Sequence, residues 1–276
     1  MGEWCCELRL SAPSWVYPED VLPNVRRLAG QVQDVEWLVL EVTHGLPGPE
    51  VAEGLAALGK AYGHSYTVHL PLDLPLGARD EQARRQAVET AREVIEATRA
   101  VQPWAYVLHL EPAPDAPDSA PAAGPEAGTD WSPWHERVAE SLRALAAGAG
   151  GEPLIAVENV PEYPPEALWP LLDRLDVSLC LDVGHLLRQG RDPRPLLEAH
   201  LERTRVIHLH GVEDGHDHRS LAAMDQGVLA GLLRTIRSRS FRGVVTIECF
   251  AAGPFFESWE LVEGIWRRLQ QGEAEL

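Results

Sequence analysis

The sequence predicts a single α/β domain over residues 1–276, a (β/α)8 TIM barrel with a metal site at the C-terminal mouth of its strands. Three observations predict it. Short apolar segments rich in β-branched residues alternate with longer segments of helical periodicity along the whole chain. Eight such units in roughly 250 residues is the arithmetic of this barrel. The apolar segments also end in His, Asp or Glu, where an ordinary buried strand would stay apolar. Strands alternating with helices imply parallel pairing and right-handed crossovers. A doubly wound open sheet is the competing arrangement, but it carries a Gly-rich phosphate turn after its first strand. Here that strand runs into SAPSWVYPED, which has no glycine.

The elements follow in order. The first strand is CCELRL. Side chains alternate across a strand, so Glu7, Arg9 and Ser11 point inward while Cys6, Leu8 and Leu10 face the helices. The second, EWLVLEV, brings Glu41 to its end, and the helix EVAEGLAALGKAY follows. The third, YTVHLPL, offers His69, and the fourth, AYVLHLE, offers His109, with a helix from RDEQARRQ to EATRA between them. Residues 112–130, rich in Pro, Ala, Gly and Asp, then form a loop insertion on the mouth face, a tolerated insertion or a lid. The helix WHERVAESLRALAAG leads to LIAVENV with Glu158, and PPEALWPLLDRL to SLCLDVG with Asp182. PRPLLEAHLERT precedes RVIHLHGV, where His208 and His210 share one face. LAAMDQGVLAGLLRTIRS precedes VVTIECF with Glu248, and SWELVEGIWRRLQQ closes the chain.

Composition sets outer bounds. Hydrophobic residues make up 45% and charged residues 24%, which suits a globular domain. Lys and Arg number 24 against 42 Asp and Glu, a net charge of −18 that repels a phosphate backbone, and the arginines are scattered along helices. No nucleic-acid partner is expected. No apolar run reaches the roughly 18–20 residues of a bilayer span, so no membrane partner is expected either. The opening MGEWCCELRL lacks a leader pattern, and Cys5, Cys6, Cys180 and Cys249 do not make a disulfide framework. A reduced, cytoplasmic protein with small core cysteines follows. There is no P-loop, GxSxG elbow or GxGxxG turn.

Barrel closure carries the strand-end residues to one mouth. A lone histidine there is usually a bonded core residue, and a lone Glu can pair with Arg9. Several imidazoles and carboxylates converging in a low dielectric are costly without a cation. Imidazole with carboxylate suits Zn, Mn, Fe or Co, one to three ions, better than Ca. Two further segments add ligands. His185 lies three residues after Asp182, and HGVEDGHDHRSL carries Asp214, His216, Asp217 and His218, of which His218 is the expected ligand with Asp217 beside it as ligand or orienting group.

Glu158, Asp182, His208 and Glu248, with His185, resemble the metal-binding set of the xylose isomerase-like TIM barrels, which include sugar isomerases, sugar epimerases and the endonuclease IV group. His69, His109 and His218 stand where the endonuclease group recruits extra ligands. The runs LRLSAPSWVYP, YTVHLPLDLPLG, IAVENVPEYPPEAL, LCLDVGHLLRQG and IHLHGVEDGHDHRSL resemble the bacterial cobamide-remodelling phosphodiesterases. That resemblance implies hydrolysis of the nucleotide loop of a cobamide to a cobinamide phosphate and an α-riboside, for cobamide salvage, with a corrinoid as small-molecule partner. It implies that Glu158 bridges two ions, that His69, His109, Asp182, His208 and Glu248 complete their shells, and that His185 and His218 hold a third ion or contact phosphate. Glu158, Glu248, His185 and Arg9 are then the catalytic set. Arg9 either clamps the phosphate or balances Glu7 and Glu41 at the barrel floor. Glu41 and His210 are candidate contacts to substrate or metal. Trp15, Tyr17, Tyr163 and Phe250 either pack on a large flat ligand or belong to the core and rim. One alternative is a metal-dependent sugar or sugar-phosphate isomerase or epimerase using Glu158 and Glu248 as acid and base. The other is a non-catalytic corrinoid or sugar-phosphate carrier.

Overall fold

The computed structural model describes residues 8–43, 45–110 and 131–272. Cys5, Cys6, Glu7 and the 112–130 insertion lie outside the described residues. Eight parallel strands close into a barrel: β1 (Arg9–Pro13), β2 (Asp34–Leu38), β3 (Ser65–His69), β4 (Tyr106–Leu108), β5 (Ile155–Glu158), β6 (Ser178–Asp182), β7 (Thr204–Leu209) and, after a hairpin of β8 (Gly211–Glu213) and β9 (His216–Arg219), β10 (Val244–Ile247). β10 pairs with both β7 and β1, so the ring has no edge. All eight barrel strands were legible as segments. The antiparallel hairpin was not.

The helices are α1 (Val21–Leu28), α2 (Pro49–Tyr62), α3 (Glu81–Thr98), α4 (Ser132–Ala149), α5 (Trp169–Arg174), α6 (Val183–Arg188), α7 (Pro193–His200), α8 (Gln226–Ser238) and α9 (Ala252–Gln270). α1 and α6 are additional to the helices expected from sequence. α1 tolerates Pro23 because it falls in the first turn, where no intrahelical N–H is needed. No helix among the described residues is long and apolar enough to cross a membrane.

The strands pack on both faces, all of them outward and β4 to β7 inward as well. Val68, Leu108, Val157, Leu181, Ile207 and Ile247 pack outward against the helices. Inside, Ala105, Val107, Ala156, Cys180 and Val206 form a small plug. Their modest size leaves room above them for imidazoles and carboxylates. Cys180 and Cys249 are free and buried, as small core residues.

The barrel floor holds a separate polar group. Arg9 stacks over Trp104 with its guanidinium carbon 4.5 Å from the ring centroid, and it donates to Ser65 Oγ at 2.5 Å. Ser11 and Ser65 in turn donate to Asp34. Arg9 begins β1, so it lies at the end of the barrel opposite the mouth. Of the two roles expected for Arg9, this position fits the floor charge and not the phosphate clamp, with Asp34 as its acidic neighbour among the described residues. The arginines are also less scattered than the sequence implies. Arg203, Arg205, Arg239 and Arg242 surround a floor cavity of about 310 Å³.

Candidate metal centre

The strands deliver the mouth residues by period-two alternation. His69, Glu158 and Asp182 are the last residues of β3, β5 and β6. His208 lies within β7. His109, His210 and Glu248 stand one residue beyond β4, β7 and β10. Asp182 also caps α6, where one carboxylate oxygen accepts the His185 backbone N–H at 2.6 Å. That bond fixes the turn that brings His185 over the mouth, and it leaves the second Asp182 oxygen facing inward. Gly184 sits beside it because a Cβ there would lie 2.0 Å from His210 Cε1. Asn159 ties β5 to β6 through bonds to both the backbone N–H and C=O of Asp182, each 2.9 Å. The β8–β9 hairpin brings in the last histidine. His218 takes a left-handed φ of 53°, and its ring lies 4.4 Å from that of His210.

Potential ligand atoms fall into neighbouring sets within 4.8 Å of one another: His69, His109 and Glu158; Glu158, Asp182, His208 and Glu248; and His185, His210 and His218. Glu158 belongs to the first two. Its Oε2 is 3.3 Å from His69 Nε2 and 3.2 Å from His109 Nε2. Its Oε1 is 3.3 Å from His208 Nδ1 and 3.4 Å from His185 Nδ1. Glu248 Oε2 lies 3.3 Å from His208 Nδ1 and 3.5 Å from His218 Nδ1.

The electrostatics follow from packing acids and imidazoles out of water. Burial pushes Glu158 up, but the imidazoles of His208 and His109 outweigh it and hold the carboxyl well below its usual range. Asp182 is driven down in the same way, against burial, by His185 and His210. Burial pulls His208 and His69 down, yet both are left raised, His208 by Cys180 and the carboxylates of Glu36, Glu248 and Glu158, and His69 by Glu158. His210, beside Asp182, is pushed up to about 9. His218 stays lowered, mainly by burial. These are the signatures of a negatively charged cluster drawing in positive charge.

The donor set fits a divalent ion. Of the buried polar atoms here, His208 Nδ1 and Glu248 Oε2 have no hydrogen-bond partner although they face each other. Two buried lone-pair donors aimed at one point are an expensive arrangement for a folded chain and a natural one for a cation. Mixed imidazole and carboxylate ligands suit Zn, Mn, Fe or Co.

The predicted residues do not all converge. His69, His109, Glu158, Asp182, His185, His208, His218 and Glu248 do, and His210, expected as a contact to substrate or metal, joins the His185 and His218 set. Asp217 does not enter it, because its carboxylate pairs with Arg188 of α6 at 2.5 Å, so Asp217 orients the hairpin. His216 and Asp214 are exposed. Glu41 is exposed beyond the end of β2. The strand's inward carboxylate above Asp34 is Glu36, which sequence reading missed and which is completely buried. Tyr163 is buried too, its hydroxyl donating to the Leu110 carbonyl at 2.9 Å, and is core rather than rim. Trp15, Tyr17 and Phe250 line an open groove of about 840 Å³, and the Phe250 ring is 4.7 Å from that of His218.

A family model described as Xylose isomerase-like TIM barrel matches residues 34–269. The chain belongs to that family. None of the curated proteins matches it in sequence. Among solved structures, this xylose isomerase-like barrel is similar to a D-tagatose 3-epimerase-like protein (TM-score 0.79, 19% identity, 97% of this chain and 100% of that one). It is similar to endonuclease IV from Thermus thermophilus (TM-score 0.65, 20% identity, 96% and 99%). It also resembles an IOLI protein solved with a bound zinc atom (TM-score 0.69, 14% identity, 95% and 99%). Further sugar epimerases are among the similar structures. At these identities the likeness shows the fold.

Proposed function

We propose that this xylose isomerase-like barrel is a divalent-metal-dependent phosphodiester hydrolase that opens the nucleotide loop of a cobamide. The observation that carries the reading is Glu158. Each of its two oxygens faces a different group of imidazoles, and a further His185, His210 and His218 set stands beside them. That donor set suits more than one cation, which a dianionic transition state for phosphodiester cleavage calls for. Ions bound there would supply Lewis acidity and positive charge beside the scissile phosphate. The chain's own part is to hold them: Glu158 between two sets, Asp182 locked by its cap on α6, and His218 presented by the hairpin. The Trp15, Tyr17 and Phe250 groove joins the site through His218 and offers apolar area for a large flat ligand such as a corrinoid. A net charge of −18 favours such a ligand over a DNA duplex.

The similar structures lean toward the second reading, a sugar or sugar-phosphate epimerase or isomerase. It uses only the Glu158, Asp182, His208 and Glu248 quartet, with Glu158 and Glu248 moving a proton at a carbon next to a carbonyl. One experiment separates the two. The Mn- or Co-loaded protein is incubated with an adenosylated cobamide and, in parallel, with a panel of ketoses and their phosphates, and products are identified by chromatography with mass detection. A corrinoid retaining its phosphate plus a free α-riboside supports the hydrolase. Intact cobamide under Mn, Co and Zn sinks it, and epimerised ketose then establishes the alternative.

A further inference from the structure

We infer that Glu36 is the positioning residue for the ligand His208: it takes the Nε2 proton, so that Nδ1 is the nitrogen presented to the ion. This rests on the metal reading of the quartet. The two residues are not strand neighbours. β1 and β10 lie between β2 and β7 in the ring, so the contact crosses the barrel interior. It can do so because those intervening strands place only Ser11, Pro13 and Thr246 on the inner face at this height. Glu36 Oε1 lies 3.1 Å from His208 Nε2, and both side chains are fully buried.

The other face of the same ring tells the complementary half. His208 Nδ1 is 3.3 Å from Glu158 Oε1, 3.3 Å from Glu248 Oε2 and 3.7 Å from Asp182 Oδ2. It has no hydrogen-bond partner of its own. A neutral imidazole carries one proton, and the well-placed acceptor for it among the described residues is Glu36. Nδ1 is thereby left with a lone pair directed into the quartet. This is the carboxylate–histidine arrangement that fixes a ligand's tautomer and raises its basicity.

A packing role explains Glu36 poorly. Its second oxygen, Oε2, has no partner, and the hydroxyls of Thr67, its register neighbour on β3, and of Thr246, the register neighbour of His208 on β10, are equally unpartnered. A fully buried carboxylate with one hydrogen bond is a poor way to fill space that Val or Leu would fill without desolvating a charge. Its one bond goes to the ring that completes the metal set.

The test compares wild type with Glu36→Gln and Glu36→Leu, using Zn and Co alone as probes. Ion affinity is read by competition with a chromophoric chelator, and the His208 tautomer by long-range proton–nitrogen NMR of the zinc-loaded protein. Wild type should bind at least one ion tightly with His208 protonated at Nε2. Glu36→Gln keeps an acceptor but loses the charge, and should weaken binding about 10-fold; Glu36→Leu should weaken it up to about 100-fold and lose the Nε2 proton signal. Should Glu36→Leu fail to fold by circular dichroism, Glu36→Gln alone decides. Equal affinity in Glu36→Gln and wild type, or a wild-type His208 protonated at Nδ1, overturns the assignment while leaving the metal site intact. A wild type that binds no ion overturns the metal reading, and the assignment with it.

Discussion

The mouth and the floor of this barrel are built from the same strands and the same kinds of residue, yet they are settled in opposite ways. At the floor the polar groups answer one another. Arg9 donates to Ser65, Ser65 and Ser11 donate to Asp34, and Arg205 Nε donates to the Trp104 carbonyl at 2.6 Å. At the mouth, carboxylates and imidazoles crowd together with His208 Nδ1 and Glu248 Oε2 unpartnered. A count of buried polar residues does not separate the two ends. What separates them is whether the chain satisfies its own donors and acceptors. The satisfied end serves stability, and the unsatisfied end leaves donors free for a cation.

The comparison breaks most visibly at Glu158. Glu158→Gln removes charge from two ligand sets at once, so metal content measured by mass spectrometry should drop by more than one ion per chain. Turnover should fall at least about 1000-fold, equivalent to roughly 4 kcal/mol of barrier. A variant that loses only one ion, or stays active, would show that Glu158 does not join the two sets. His109→Ala is the sharper and smaller blow. It takes away one donor of the first set and leaves the quartet whole. On the proposed hydrolase reading cobamide cleavage should fall about 100-fold, in line with the loss of a metal-orienting group, whereas a one-ion epimerase would keep most of its rate.

Much of this was legible because period-two alternation and barrel closure act together. Once LIAVE, SLCLD and VVTIE are strands, Glu158, Asp182 and Glu248 must share a mouth. The misses have local causes. EWLVLEV reads as one long strand ending at Glu41, but register pairs Leu38 with His69, so the strand stops earlier and Glu36 becomes the inward acid. β1 continues four residues past Arg9, which puts it at the floor, one of the two places open to it from sequence. His216, Asp217 and His218 look alike in sequence; the twist of a hairpin and the pull of Arg188 from a different helix decide among them, and neither is written locally.

Acidity gives the next test. In the ion-free protein His210 is raised to about 9 by Asp182 and Glu248 working against burial. A folded-state value above the unfolded 6.5 means its stabilisation is complete below about pH 6.5 and is lost as pH climbs through about 9. That is worth roughly 3 kcal/mol over the window. With a chelator present, the melting temperature should therefore fall between pH 6.5 and 9. With saturating Zn it should not, because the ion replaces the protons and binds more tightly as pH rises. Melting curves that coincide with and without chelator across that window would mean that no ion occupies the mouth.

The smallest effect is expected at the floor, and it is the one that tests the contrast from the other side. Arg9→Met keeps the stacking volume over Trp104 but removes the donor to Ser65 and the cation acting on fully buried Asp34. Burial already pushes the Asp34 carboxyl up, and Arg9 is one of the groups holding it down. Losing a hydrogen bond to a charged group costs about 2 kcal/mol, which urea denaturation resolves. Metal affinity and turnover should be unchanged, since Arg9 lies at the opposite end of the strands from Glu158. An Arg9→Met variant of normal stability but with a raised KM would place Arg9 on the substrate instead, and the division between a self-satisfied floor and an ion-seeking mouth would have to be redrawn.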